Sequence, residues 1–183
     1  EDAYTFAPSL TFKNINSERA KKFSKYIDNL VFNIGLVELL SYWKAFVSPK
    51  IVIECGRLDD YQNNWWNDLL LKGMGQFFYE NDIDFTKKGF IEFISDIKDE
   101  GSMTVARLSS KSILVPVGGG KDSVATLEIL SKNFKNVAAF LLNPTIAAEQ
   151  IAKLAGADSL VVERHLDERL FDLNRRGFPN GHT

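Results

Sequence analysis

Val115-Pro116-Val117-Gly118-Gly119-Gly120-Lys121-Asp122-Ser123 joins the end of a β-branched apolar run to three successive glycines and then to a polar helix start. Reading outward from it, Ile113 to Val117 predicts a buried strand, Ser123 to Lys132 a helix and Val137 to Leu142 a second strand. Pro144 falls just inside the next helix start, where a missing N–H costs nothing, and that helix runs to about Leu154 before Gly156 stops it. Leu160 to Val162 is the third strand. Strands alternating with helices are the mark of βαβ units, so the expected fold class is α/β, a parallel sheet with flanking helices. Three parallel strands make a small doubly wound sheet, and the natural protein is expected to continue past Thr183. Beyond Arg164 the sequence turns polar, with a short helical candidate from Glu168 to Leu173.

Upstream of that pattern the chain reads as mainly helical. Apolar residues recur at helical spacing from Phe23 through Ile27, Leu30, Val31 and Ile34 to Leu39, Leu40 and Trp43, with Gly35 as a candidate break. Ile51-Val52-Ile53, closed by Gly56, predicts a short buried strand. An aromatic helix follows, in which Trp65, Leu69, Gly73 and Phe77 share the face expected to pack inward, with Trp66 and Leu70 beside them. Asn81 to Ser112 suits a variable connection holding one strand or helical turn around Phe90 to Ile94. The expected organisation is therefore a mainly helical region over 1–111, with a short strand near 51–55, and a nucleotide-binding α/β portion over 112–183 that is shortened at its C-terminal end.

Composition narrows the function classes. With 183 residues, 45% of them hydrophobic, the chain can enclose one ordinary core and a small second layer. A formal charge of −2 spread over 25% charged residues gives no basic field to gather nucleic acid, so nucleic acid is not an expected partner. The lone cysteine, Cys55, rules out an internal disulfide or a CxxC pair and fits a reducing cytosol. It is expected to be a small buried hydrophobe at a strand end, and a racemase using two opposed thiols cannot be built from it within one chain. No apolar run approaches the roughly 20 residues of a membrane span. Glu1 to Ser9 show no signal-peptide pattern, although a first residue other than methionine points to a trimmed or processed chain. The expected setting is cytoplasmic, without membrane contact; oligomeric state is not legible.

The glycines carry the chemistry. Without a Cβ they reach backbone angles closed to other residues, so main-chain N–H groups can close around phosphate oxygens. The open amides and positive end of the following helix add attraction for an anion. Lys121 supplies a mobile charge, and Ser123 caps the helix or donates its hydroxyl. Asp122 beside a polyphosphate is repulsive unless it holds the loop or binds Mg²⁺. A Walker A loop would need glycine at position 115, which is valine, and Ser or Thr after Lys121, which is Asp122. A dinucleotide fingerprint starting at Gly118 would need glycine where Ser123 stands. Instead, Gly119, Gly120, Asp122 and Ser123 match the S-G-G-x-D-S loop of the PP-loop superfamily of ATP pyrophosphatases (adenine nucleotide alpha hydrolase-like), with Gly118 in the place of the first serine.

Further stretches resemble one branch of that superfamily, the ATP-dependent UDP-N-acetylmuramoyl-L-alanyl-L-glutamate epimerases of bacterial peptidoglycan synthesis. They are Glu38 to Lys44, the Trp65-Trp66 pair with Lys72 to Tyr79, the loop Pro116 to Ser123 followed by Glu128, and the tail Leu173-Asn174-Arg175-Arg176-Gly177-Phe178-Pro179-Asn180-Gly181-His182-Thr183. The resemblance implies an enzyme that uses ATP and Mg²⁺ to invert the α-carbon of the terminal glutamate of a UDP-muramoyl dipeptide through an acyl-adenylate, releasing AMP and pyrophosphate. On that reading Gly118, Gly119, Gly120 and Ser123 bind phosphates, Lys121 neutralises charge and Asp122 orders the loop or binds magnesium.

Other candidates stand beside bland alternatives. Asn143 follows the second strand, where a parallel sheet meets a nucleoside, but Asn before Pro144 is also a turn former. His182 is a candidate acid or base, or simply a residue of a flexible tail. Arg164 (beside His165), Arg175, Arg176 and, on the family resemblance, Asn180 are candidate substrate contacts, with solvated surface positions as the alternative for the arginines. Glu38, Ser41, Tyr42 and Lys44 share part of a helix side as a polar recognition patch or as ordinary exposed positions. Two other functions remain open: another adenylating enzyme, such as an amide ligase or a tRNA-modifying enzyme, and a nucleotide-binding domain without turnover.

Overall fold

The computed structural model of the chain describes residues 4–13, 15–95 and 111–179. In chain order the elements are β1 (Ser9–Phe12), α1 (Ser17–Lys22), α2 (Ser24–Phe46), β2 (Lys50–Ile53), α3 (Asp60–Gly73), α4 (Gly75–Glu80), β3 (Glu92–Ser95), β4 (Ile113–Pro116), α5 (Lys121–Asn133), β5 (Val137–Leu142), α6 (Ile146–Leu154), β6 (Asp158–His165) and α7 (Glu168–Arg175). They fall into two compact units, one of Glu1–Phe6, Lys25–Thr104 and Asp167–Thr183, the other of Ala7–Ser24 and Val105–Leu166. No helix among the described residues is long and apolar enough to cross a membrane.

The second unit is the α/β one. Its sheet has the order β1-β6-β5-β4. The three strands read from the sequence run parallel, β4 beside β5 and β5 beside β6. The sheet is nevertheless mixed rather than parallel, because β1 adds to the outside of β6 antiparallel, with Ser9 opposite His165 and Phe12 opposite Val162. Period-two alternation puts Val115, Val117, Ala139 and Leu141 on one face, and there they meet Leu127 of α5 with Ala148 and Ala152 of α6. Alanines at 139, 148 and 152 let the helix and strand backbones approach closely. Leu127 and Leu141 are fully buried, each contributing about 1.5–3 kcal/mol relative to an exposed position.

Helix starts differ from the sequence reading by small, physically informative shifts. α5 opens at Lys121 with Gly120 as its N-cap, so Ser123 lies inside the first turn instead of capping it. α6 is capped by Thr145, whose side chain accepts from Ala148 N–H, which leaves Pro144 outside the cap. Gly156 ends α6 as expected: at φ +63° it lets Gly156 N–H and Ala157 N–H reach back to the carbonyls of Lys153 and Ala152.

The first unit is mainly helical around an aromatic core of Trp43, Trp66, Phe77, Phe78 and Phe93, with Leu36, Ile51, Ile53, Leu58, Leu70 and Ile91. α2 runs unbroken through Gly35, where packing by Leu36 and Trp43 outweighs the roughly 1 kcal/mol that glycine costs a helix. β2 is the expected short strand, and it pairs in parallel with β3, the strand left open around Phe90 to Ile94. Asp59 and Gln62 form a reciprocal capping box that fixes where α3 begins.

The aromatic face nevertheless turns differently from the expectation: Trp66 and Leu70 are buried, while Trp65 and Leu69 are 50% and 37% exposed, and α3 gives way to α4 at Met74. Trp65 instead meets Trp66 edge-on, 5.0 Å between ring centroids. Cys55 is likewise exposed, since β2 ends at Ile53 and the chain bends before Gly56. Much of the connection expected over 81–112, namely 96–110, lies outside the described residues.

Candidate functional site

Parallel strands bring their C-terminal ends to one edge of the sheet, which sets the loop after β4, the turn Asn143-Pro144-Thr145 after β5 and the end of β6 side by side. Gly119 holds φ +98°, closed to ordinary L-residues. A Cβ placed on it would lie 3.0 Å from Thr145 Oγ1 and 3.3 Å from Ala148 N, so the glycine loop rests directly against the start of α6. Gly118 and Gly120 have open space where a Cβ would go. Ser123 Oγ accepts from Gly118 N–H at 3.1 Å and ties the loop to the helix that follows it.

α3, α6 and α7 each have a side-chain cap, whereas α5, which follows the glycines, has none. The first amides of any helix lack partners within it, so α5 presents uncapped N–H groups and the positive end of its dipole beside the loop. Lys121 and Asp122, both exposed, occupy that first turn. Among the described residues no cluster of three or more His, Cys, Asp or Glu could hold a metal by itself. Asp122 as a single carboxylate suits a magnesium ion carried mainly by phosphate oxygens and water.

Asn143 shows what its side chain does. It sits at φ +44°, its Oδ1 accepts from Arg164 N–H at 2.7 Å, its Nδ2 donates to Arg164 C=O at 2.9 Å, and its own N–H reaches Val162 C=O at 2.9 Å. The amide acts as one more rung of the ladder between β5 and β6, pinning the turn that carries Thr145. Asn143→Ala is expected to destabilise the protein by about 2 kcal/mol, a Tm fall of roughly 4–8 °C in a thermal melt. A loss of ATP affinity with Tm unchanged would instead mark Asn143 as a nucleoside contact. Arg164 lies within β6, opposite Leu10 of β1, with His165 exposed at the strand end.

The remaining candidates belong to the first unit or lie outside the described residues. Arg175 ends α7 and pairs with Asp172. Arg176 forms the C-cap of α7. Asn180 and His182 lie outside the described residues. Glu38, Ser41 and Tyr42 are buried and Lys44 half-buried, so this side of α2 is not an exposed polar patch. Tyr42 OH accepts from Asp167 N–H at 2.9 Å, at the residue that caps α7. Thr145, which caps α6 and abuts Gly119, is a residue of the candidate site that the sequence reading missed; the signal was a threonine directly before the apolar Ile146, obscured by placing Pro144 inside the helix.

The profile of the family described as "MurL N-terminal domain" matches residues 1–183. Among curated relatives, the UDP-N-acetyl-alpha-D-muramoyl-L-alanyl-L-glutamate epimerase of a Micromonospora species is 31% identical over 152 residues, covering 81% of this chain and 33% of the relative. The protein of that name from Xanthomonas oryzae is 30% identical over 150 residues, 81% of this chain and 32% of the relative. One from Salinispora tropica is 41% identical over 69 residues, 38% of this chain and 15% of the relative. The chain thus spans about a third of the length of the two broadly matched relatives. No solved structure matches it.

Proposed function

This chain belongs to the MurL N-terminal domain family, and on that premise we propose that it is the ATP-binding portion of an epimerase of PP-loop type that inverts the terminal L-glutamate of UDP-N-acetylmuramoyl-L-alanyl-L-glutamate, in the cytoplasm. The observation that carries the nucleotide half of this reading is Gly119 at φ +98° against the start of α6, beside the uncapped start of α5. Backbone and helix ends there offer donors for polyphosphate oxygens. The substrate half rests on the names of the relatives.

The chemistry explains why ATP is used at all. Removing the α-proton beside a free carboxylate would put two negative charges on one enolate. Converting that carboxylate to an acyl-adenylate removes the first charge and makes the α-carbon far more acidic. Deprotonation on one face and reprotonation on the other invert the centre, and hydrolysis of the anhydride returns the carboxylate with AMP as the second product. The amides of Gly119, Gly120 and Lys121 would stabilise charge on the departing pyrophosphate, each aligned donor contributing about 3–4 kcal/mol to lowering the barrier. Magnesium, which Asp122 would help to hold, supplies further charge neutralisation at the phosphates. Lys121 brings a point charge to the same turn, and Ser123 keeps the loop closed through Gly118.

The test is incubation of the full-length protein with the UDP-muramoyl dipeptide, ATP and Mg²⁺ in D₂O. The expected products are D-glutamate carrying one α-deuterium, AMP and pyrophosphate. ADP in place of AMP, or inversion without α-deuterium, would overturn the proposal.

A further inference from the structure

α7 and its cap carry three arginines, and two of them are spent on neighbouring carboxylates. Arg169 binds Asp167 through Nε at 2.8 Å and Nη2 at 2.5 Å, and Arg175 pairs with Asp172. Arg176 has no carboxylate partner among the described residues. Its guanidinium carbon instead lies 5.9 Å from the ring centroid of Tyr4 and 5.6 Å from that of Phe178. Those rings are fixed in turn: Tyr4 meets Phe46 at 5.3 Å, Phe46 meets Phe178 at 5.5 Å, and Tyr4 meets Phe178 at 6.3 Å. The backbone below is closed, with Gly177 at φ +86° and the amides of Arg176, Gly177 and Phe178 donating to the last carbonyls of α7. The negative end of the helix is therefore already satisfied.

We propose that Arg176 is a preorganised oxyanion grip, positioning the acidic ligand of this unit through a carboxylate or diphosphate held against its exposed N–H edge. An exposed arginine ordinarily loses rotamer freedom on binding; two aromatic contacts fix this guanidinium beforehand, and its planar fork matches paired anionic oxygens. The cation is left exposed on its aromatic support while its neighbour Arg175 is paired. This rests on the reading that the protein acts on a substrate bearing both a diphosphate and carboxylates, and it adds which arginine holds that substrate.

The full-length protein is to be treated with phenylglyoxal, an arginine reagent, and modification of Arg176 measured by peptide mass spectrometry with UDP, with the dipeptide L-alanyl-L-glutamate, or with the whole UDP-muramoyl dipeptide. Protection by UDP assigns the grip to the diphosphate, and protection by the dipeptide assigns it to a carboxylate. Protection by either stands whether or not the protein turns substrate over, so a failed epimerase assay is distinguishable from a failed Arg176. Arg176→Ala is expected to raise the KM for the muramoyl substrate about tenfold while the KM for ATP stays unchanged, with Arg176→Lys recovering part of the loss. Arg176 labelling unaffected by all three ligands, or a lowered Tm with both KM values unchanged, would reduce Arg176 to a clamp on the aromatic cluster and overturn the proposal.

Discussion

Gly119→Ala is expected to lower the Tm of the full-length protein and weaken its ATP binding on the order of a hundredfold, while Gly118→Ala and Gly120→Ala leave the Tm within experimental scatter. The three glycines look alike in sequence but differ in structure. Only Gly119 has a positive φ, so an alanine there costs about 1–2 kcal/mol in backbone conformation alone. Its methyl group would also sit 3.0 Å from Thr145 Oγ1 and 3.3 Å from the backbone nitrogen of Ala148, a neighbour that cannot swing aside because it belongs to α6. The loop must move away from α6 to relieve that contact, and the amides proposed to bind phosphate move with it. Losing the alignment of one donor of this kind costs roughly 3–4 kcal/mol, two or more powers of ten in binding or rate. Differential scanning fluorimetry with and without ATP separates the two effects. A Gly119→Ala protein with lowered Tm but undiminished stabilisation by ATP would show that the nucleotide binds elsewhere.

The glycine loop was legible because its residues encode its geometry locally: a β-branched run, glycines and a helix start leave few alternatives. The same holds for the existence and order of β4, β5, β6, α5 and α6, signalled by Gly156 and the period-two runs, although β6 extends beyond the expected Leu160 to Val162 at both ends and α5 and α6 start at other residues than expected. What escaped notice depends on partners distant in sequence. β1, with the sequence Ser-Leu-Thr-Phe, keeps only Leu10 partly buried and becomes a strand by pairing with β6, more than a hundred residues away. The grip of Asn143 on Arg164 exists because two parallel strands end in register. Periodicity showed that the Trp65-Trp66 helix has an apolar face but not which side turns inward, since both tryptophans extend a plausible stripe. The capping box of Asp59 and Gln62, readable in the sequence, fixes the helix start but not its rotation. The buried Glu38 and Ser41 invert the usual expectation for polar residues, and nothing in their spacing signals that their side of α2 is buried.

Asp122→Asn separates binding from chemistry at this loop, and it is expected to cut AMP release on the order of 10²–10³-fold while leaving the fold intact. Asp122 is exposed in the first turn of α5, where its carboxylate has no hydrogen-bond or ion-pair partner among the described residues. Its replacement by the isosteric amide therefore costs the fold only the favourable placement of a negative charge at a helix start, about 0.3–1 kcal/mol. On the proposed function, a group with so little structural work, standing where polyphosphate is expected, would gain its value from what it does to a bound ion. A metal that neutralises phosphate charge in the transition state contributes several kcal/mol, and weakening its hold forfeits a comparable factor in rate. ATP without magnesium gives the complementary readout: the amide removes a repulsive charge, so metal-free ATP is expected to bind Asp122→Asn slightly more tightly than wild type. Raising Mg²⁺ is expected to stimulate AMP release by the wild-type protein far more than by the variant. Equal magnesium dependence in the two proteins, with AMP release unchanged, would remove Asp122 from the metal and leave it only the minor role of a helix-start carboxylate.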